Sequence, residues 1–320
     1  EQAVCYAGVD KVINQIYIDN EPVLNVPITT DGVVSKDSIQ QRYKDILQLE
    51  VRFGGDYTST KTLAKQYAGD KWNDKFLGKG VVSISVVIRK TQYSLENNLL
   101  TNDNFTLTAE LKGQRIYDWA DDAIKSSSNP PSIIYDYLTN KTYGMGIEPE
   151  LIDTQSFGEM AAYCKQLGYY ANGSMSYSNT YKQNIEGVLQ SFGGIMYVHG
   201  GKICITTDRK TLSVQSFDET NMFGSVSLST SGSTDYFNTI DAKYTNTNSM
   251  YTTDVLRIPS DISQDEVIRT DGQVIALSRD YSLVYNQTTL STLVNAELRK
   301  AKFSLRTISF TTSEGWDLRV

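Results

Sequence analysis

Three carboxylates, Asp118, Asp121 and Asp122, lie within five positions of one another and flank Trp119. Glycoside hydrolysis needs only two carboxyl groups, one as acid and one as base or nucleophile, and an aromatic ring beside them offers a face to a sugar. One reading is therefore a carbohydrate-active or peptidoglycan-degrading enzyme that uses this acidic cluster. The preferred reading is a solvated acidic loop, because such loops are common in an acidic chain, and the enzyme stands as the alternative. Other chemistry finds less support. His199 is the only histidine, so a triad or multi-histidine metal site would rest on one imidazole in what reads as a turn. Cys5, Cys164 and Cys204 are far apart, odd in number and without a CxxC; they read as small buried hydrophobes, not as a disulfide framework or zinc site. Gly78-Lys79-Gly80 lacks the earlier glycine and the following Ser or Thr of a phosphate-binding loop, and Gly144-Met145-Gly146 runs into Ile147-Glu148-Pro149 instead of a helix. No GxSxG or HExxH occurs. The motifs assign no catalytic residue, no cofactor and no metal.

The charge balance narrows the partners. Thirty basic against 37 acidic residues give a net charge of -7, and no basic run is present to neutralise phosphates, which argues against a tight nucleic-acid binder. No window of apolar residues is long enough to span a bilayer, so stable membrane insertion by this segment is not expected. The start, Glu1-Gln2-Ala3-Val4, has no basic n-region, and together with the ending it reads as a piece cut from something longer. With 320 residues, two or three packed units are expected.

The elements that would carry these residues form an α+β, β-rich pattern. A hairpin is predicted from Val12–Ile18 through Asp19-Asn20 to Glu21–Leu24, and strands over Ile46–Phe53, Gly80–Ile88 and Asn104–Leu111. A short helix is possible over Thr60–Tyr67, in an insertion around 54–79. Ser126–Pro131 is the best internal boundary. Behind it come a helix over Ser132–Leu138 and a second capped by Asp153 or Thr154, with Phe157, Met160, Ala161, Cys164 and Leu167 on its apolar stripe. A third runs over Thr180–Phe192 and stops at Gly193-Gly194. A hairpin follows, Ile195–Val198 turning at His199-Gly200-Gly201 into Lys202–Thr206. Strands over Tyr236–Tyr244, Thr252–Ile258 and Glu266–Ala276, a helix over Thr288–Ala301 and a strand over Phe303–Thr311 complete the prediction. The domain division is 1–125, 126–212 and 213–320.

The run Asn129-Pro130-Pro131-Ser132-Ile133-Ile134-Tyr135-Asp136-Tyr137-Leu138-Thr139-Asn140, followed by Tyr143-Gly144-Met145-Gly146-Ile147, resembles the tail-hub (tip attachment protein J-like) family of long-tailed bacteriophages. In that family an Asn-Pro or Asn-Asn turn, a helix ending Leu-Thr-Asn or Leu-Thr-His and a Tyr-Gly-Met/Leu-Gly turn come in this order. Lys112-Gly113-Gln114-Arg115-Ile116-Tyr117-Asp118 is similar to a family strand end, and Trp316-Asp317 follows in order. The specific part covers 104–205. Trp119-Ala120 and Thr142 depart from the family pattern locally.

The resemblance implies tail-tube-like β-barrel hub domains with a helix–helix–hairpin unit between or beside them. It marks Tyr117, Asp118, Asn129, Pro130, Tyr135, Asp136, Leu138, Thr139, Tyr143, Gly144 and Gly146 as structural motif residues. It further implies a virion structural protein at the distal end of the phage tail, made in the bacterial cytoplasm. As a baseplate-hub homotrimer it would close the tail tube, organise tail assembly and take part in host attachment and DNA ejection. The implied partners are a distal tail protein, a tape-measure protein and a receptor-binding tail fibre or extension, with genomic DNA only in passage. An acidic balance suits that passage, because a non-basic wall does not hold phosphates.

Overall fold

The computed structural model describes residues 2–313 except 7, 103, 210, 211, 214, 231–235, 250, 262–264, 304 and 305. Trp316-Asp317 lies outside the described residues. Two compact units emerge, one of residues 1–117 and 124–127, the other of 118–123 and 128–320.

Unit 1 is built on antiparallel strands. Strands β1 (Gln2–Tyr6), β2 (Ile13–Ile18), β3 (Glu21–Pro22), β4 (Gly32–Val33), β5 (Leu47–Phe53), β6 (Val81–Ile88) and β7 (Leu107–Leu111) form a sheet of order β1-β6-β5-β4 and another of order β3-β2-β7. The β2–β3 turn places Asp19 and Asn20 at φ 50° and 67°, the two left-handed positions that a two-residue hairpin matching strand twist requires. Ile16 and Ile18 of one sheet and Leu47, Leu49, Val51, Val82 and Ile84 of the other are fully or almost fully buried in one hydrophobic cluster. A pair of short strands, β8 (Arg115–Asp118) and β9 (Ala123–Ser126), completes the set.

The expected barrel is not what these strands make: none of the sheets closes among the described residues. The edge strands β3 and β4 are two residues long, too short to carry a ladder from one sheet into the other. Strand β5 also differs from a half-solvated strand. Its outward Glu50 and Arg52 are 2% and 7% exposed, because the 54–79 segment lies over them. Glu50 accepts the N–H groups of Thr62 and Leu63 at 2.9 and 2.7 Å, which are first-turn donors of helix α1 (Thr62–Ala68). Arg52 donates to the carbonyls of Ser59 and Leu77 and stacks over Tyr57 at 4.3 Å. A short helix α2 (Gln92–Glu96) follows β6.

Unit 2 opens with helices α3 (Pro130–Thr139), α4 (Thr154–Leu167) and α5 (Tyr181–Gln190), then the hairpin β10 (Gly194–His199) and β11 (Lys202–Thr207). His199 is the last ladder residue, paired with Lys202; the turn itself is Gly200-Gly201, at φ 57° and 77°. Strand β12 (Met222–Thr230) pairs with β16 (Arg306–Thr312), closing a two-stranded ribbon across some 80 residues of chain. Between them, β13 (Thr239–Asn246) is flanked by antiparallel β14 (Thr252–Ile258) and parallel β15 (Ala276–Tyr281). Helix α7 (Gln287–Phe303) packs on β13 and β14.

Two expectations need correction. Glu266–Ala276 is not a strand: helix α6 (Glu266–Asp271) forms because Asp265 accepts the N–H groups of Val267 and Ile268 and Gly272 takes the left-handed cap position. Leu167 is 46% exposed and leaves the α4 stripe, whereas Phe157, Met160, Ala161 and Cys164 are buried. Ile185 and Val188 of α5 share one core with Ile240, Ala242 and Tyr244 of β13 and with Leu290 and Val294 of α7. Segments on either side of residue 212 thus form a single packing unit.

Candidate functional site

The motif residues of unit 2 converge on the two ends of α3. At its start, Asn129 takes the cap position with Pro130 in the first turn. The Asn129 side chain Oδ1 accepts from the Ser132 N–H at 3.3 Å and from the Ser132 hydroxyl at 3.1 Å, while its Nδ2 donates to the Ala161 carbonyl of α4 at 2.9 Å. Ser132 Oγ in turn accepts the Trp119 N–H at 3.0 Å. One buried amide therefore joins the cap of α3, the body of α4 and, through Ser132, the acidic turn.

At the other end, Leu138 is buried and Thr139 donates its hydroxyl back to the Tyr135 carbonyl at 3.0 Å. The chain then folds back over the last turn: Met145 N–H donates to Tyr137 O and Ile147 N–H to Leu138 O. Gly144 sits directly on that turn, where a Cβ would meet Tyr137 O at 2.1 Å and Asn140 O at 2.8 Å, so the close approach admits only glycine. Gly146 follows at φ 65°. Tyr143 donates its hydroxyl to Asp136 Oδ2 at 2.6 Å. Burial pushes the Asp136 carboxyl above its ordinary value, against the lowering effect of hydrogen bonds from Tyr143 and Asn140. Burial, then the Asp136 carboxylate, push the Tyr143 hydroxyl far up. Tyr135 stands at the centre of an aromatic row, edge-on to Trp119 at 4.9 Å and to Phe157 at 5.7 Å.

The three carboxylates are placed in three different settings. Asp118 is 4% exposed and folds the turn on itself, its Oδ1 accepting the Ala120 N–H and its carbonyl the Asp121 N–H. Asp121 pairs with Lys165 of α4. Asp122 is exposed at φ 51°. Trp119 packs its ring against Tyr135, and Tyr117 is 39% exposed on β8. The geometry brings the acids together as a turn anchored to α3 and α4.

The thiols are buried or half-buried with no disulfide; burial pushes Cys164 up to about 12, far from a reactive thiolate. Among the described residues, no group of three His, Cys, Asp or Glu side chains is placed to hold a metal ion, and no helix is long and apolar enough to cross a membrane.

No protein-family model and no curated protein matches the chain. Among solved structures, the chain is similar in fold to one from the virion of a native gene transfer agent particle, at a TM-score of 0.54 and 12% identity. The likeness covers 96% of this chain and 66% of that one, so this chain spans just under two thirds of that neighbour's length. At such low identity the shared property is the fold.

Proposed function

We propose that this chain is a virion structural component of a phage-like particle, a segment of the hub at the distal end of the tail. The observation that carries this reading is the fold likeness along 96% of the chain to a protein of a gene transfer agent virion. The α3 motif supports it from a second direction, since the residues resembling the tail-hub family build two helix ends and an interhelical tie. In this reading the protein is a homotrimer that closes the tail tube, meets a distal tail protein and a tape-measure protein, and carries a receptor-binding fibre or extension. Genomic DNA passes it without being held, and the chain turns over no substrate.

Gold-labelled antibody raised against the chain, applied to intact particles from a producing lysate, is expected to mark the tail end remote from the head. Label on the head, or along the whole tail, would overturn the placement. Incubation of the chain with peptidoglycan and with cell-wall oligosaccharides is expected to release no fragments. Release that stops in Asp118→Asn, Asp121→Asn or Asp122→Asn would replace this reading with the glycosidase.

A further inference from the structure

A cleft of about 250 Å³ opens on unit 2 between the loop that follows α4 and the turn that begins α7. None of the residues lining it is charged. Two tyrosines, Tyr170 and Tyr285, two amides, Asn172 and Asn286, and two threonines, Thr247 and Thr289, form its aromatic and polar wall.

The amides are fixed by their oxygens. Asn172 Oδ1 accepts from the Ser128 hydroxyl at 2.6 Å. Asn286 Oδ1 accepts the N–H groups of Thr288 and Thr289 at 2.8 and 3.2 Å. Each therefore has its NH₂ to offer a ligand. The Thr289 hydroxyl donates to Gly168 O at 3.3 Å, which leaves its oxygen as an acceptor. Tyr170 is 45% exposed, and the Tyr285 ring is supported edge-on by Tyr251 at 5.7 Å. The loop is pinned in place, with Ala171 N–H on Ser128 O and Asn172 N–H on Leu283 O. The loop backbone and the Tyr285 ring are thus held before binding, which lowers the ordering cost.

The surrounding sequence has the same character: residues 166–181 contain no charged side chain and four tyrosines, among Ser, Asn, Gly and Thr. That mixture combines rigid amphipathic rings with adaptable hydrogen-bonding groups, the composition of recognition loops. The chemistry selects its ligand by elimination. Without a cationic or anionic side chain the wall lacks the charge-assisted hydrogen bonds that hold phosphate, sulfate, carboxylate or amine groups tightly. With a volume of about 250 Å³ and six of its eight lining residues carrying an amide or a hydroxyl, the cleft does not suit a lipid chain. Ring faces for C–H stacking, amide donors and threonine oxygens match a pyranose, and the volume suits a single sugar ring.

We infer that this cleft binds a neutral sugar residue of a glycan. The inference stands on the cleft alone and holds whether or not the chain belongs to a tail hub.

Saturation-transfer NMR on the whole chain with glucose, galactose, rhamnose and N-acetylglucosamine, followed by titration calorimetry, tests it. At least one of these sugars is expected to bind saturably, with an affinity that added salt leaves unchanged. Tyr170→Ala should weaken that binding about tenfold. Tyr177→Ala, which removes an exposed ring of the same uncharged run that does not line the cleft, should leave it intact. Absence of saturable transfer from all four sugars overturns the inference, as does binding that Tyr170→Ala does not weaken. Neither result bears on where antibody labels the particle.

Discussion

Tyr143 and Asp136, seven residues apart, are joined by a 2.6 Å hydrogen bond that fastens the return loop to the last turn of α3. Tyr143→Phe takes away the donor and leaves a half-buried carboxylate less well satisfied, at a cost of about 1 kcal/mol in urea unfolding. The bond also fixes a pH dependence. Burial holds the folded-state Asp136 value above the ordinary 3.8, so between those two values the folded chain binds more protons than the unfolded one. The contribution of Asp136 to stability is therefore greatest below the ordinary value and falls as pH rises through the raised one. Tyr143→Phe removes a lowering influence and should widen that interval, while Asp136→Asn should abolish this part of the slope. Unfolding midpoints measured through mildly acidic pH check both.

Asn129 serves three partners with one amide. Asn129→Ala uncaps α3 and breaks the tie to the Ala161 carbonyl of α4, and is expected to cost about 2 kcal/mol. Ser132→Ala removes only the hydroxyl branch and should cost less. Denaturant titration of both variants and the double mutant gives the coupling between them, which should be non-additive because they share a network.

Gly144 and Gly200 separate two reasons for glycine. Gly144→Ala drives a methyl into backbone carbonyls that cannot move without undoing the end of α3, a loss of about 3 kcal/mol. Gly200→Ala meets no atom within 4 Å but must hold φ near 57°, at about 1 kcal/mol. Thermal unfolding of the two variants should rank them in that order.

Glu50 anchors the 54–79 segment through the first turn of α1. In Glu50→Ala the amides of 62–68 should exchange hydrogen at least about tenfold faster, while those in the ladder between β5 and β6 keep their protection. Exchange followed by mass spectrometry reads both regions in one experiment.

These residues also mark the limits of what the sequence discloses. The inward rows of β2 and β5, the stripe of α4 and the β10–β11 hairpin are legible because a period of two or of 3.6 leaves a regular apolar trace. Glu50 and Arg52 are not, since alternation reports which face is apolar and cannot tell water from a polar lid. Helix α6 is hidden behind the β-branched Val267 and Ile268, although Asp265 and Gly272 stand at its two caps. Strand β12 escapes for a different reason: it is rich in Ser, Thr and Gly, and its partner lies some 80 residues on. Of the motif at α3, the Asn-Pro start and the glycine turn are visible in order of residues. The bond from Asn129 to Ala161 requires the fold, because nothing local ties positions 32 apart.

The shared core of unit 2 sets a condition on how the chain is made. Phe192, Ile185 and Val188 are buried together with Leu290 and Val294, so their cover is synthesised about a hundred residues later. At roughly 5–20 residues per second, the ribosome needs on the order of 5–20 s to supply it. For that time the apolar side of α5 stands without the cover that β13, β15 and α7 later supply, while α3 and α4 already have each other and β11 to pack on.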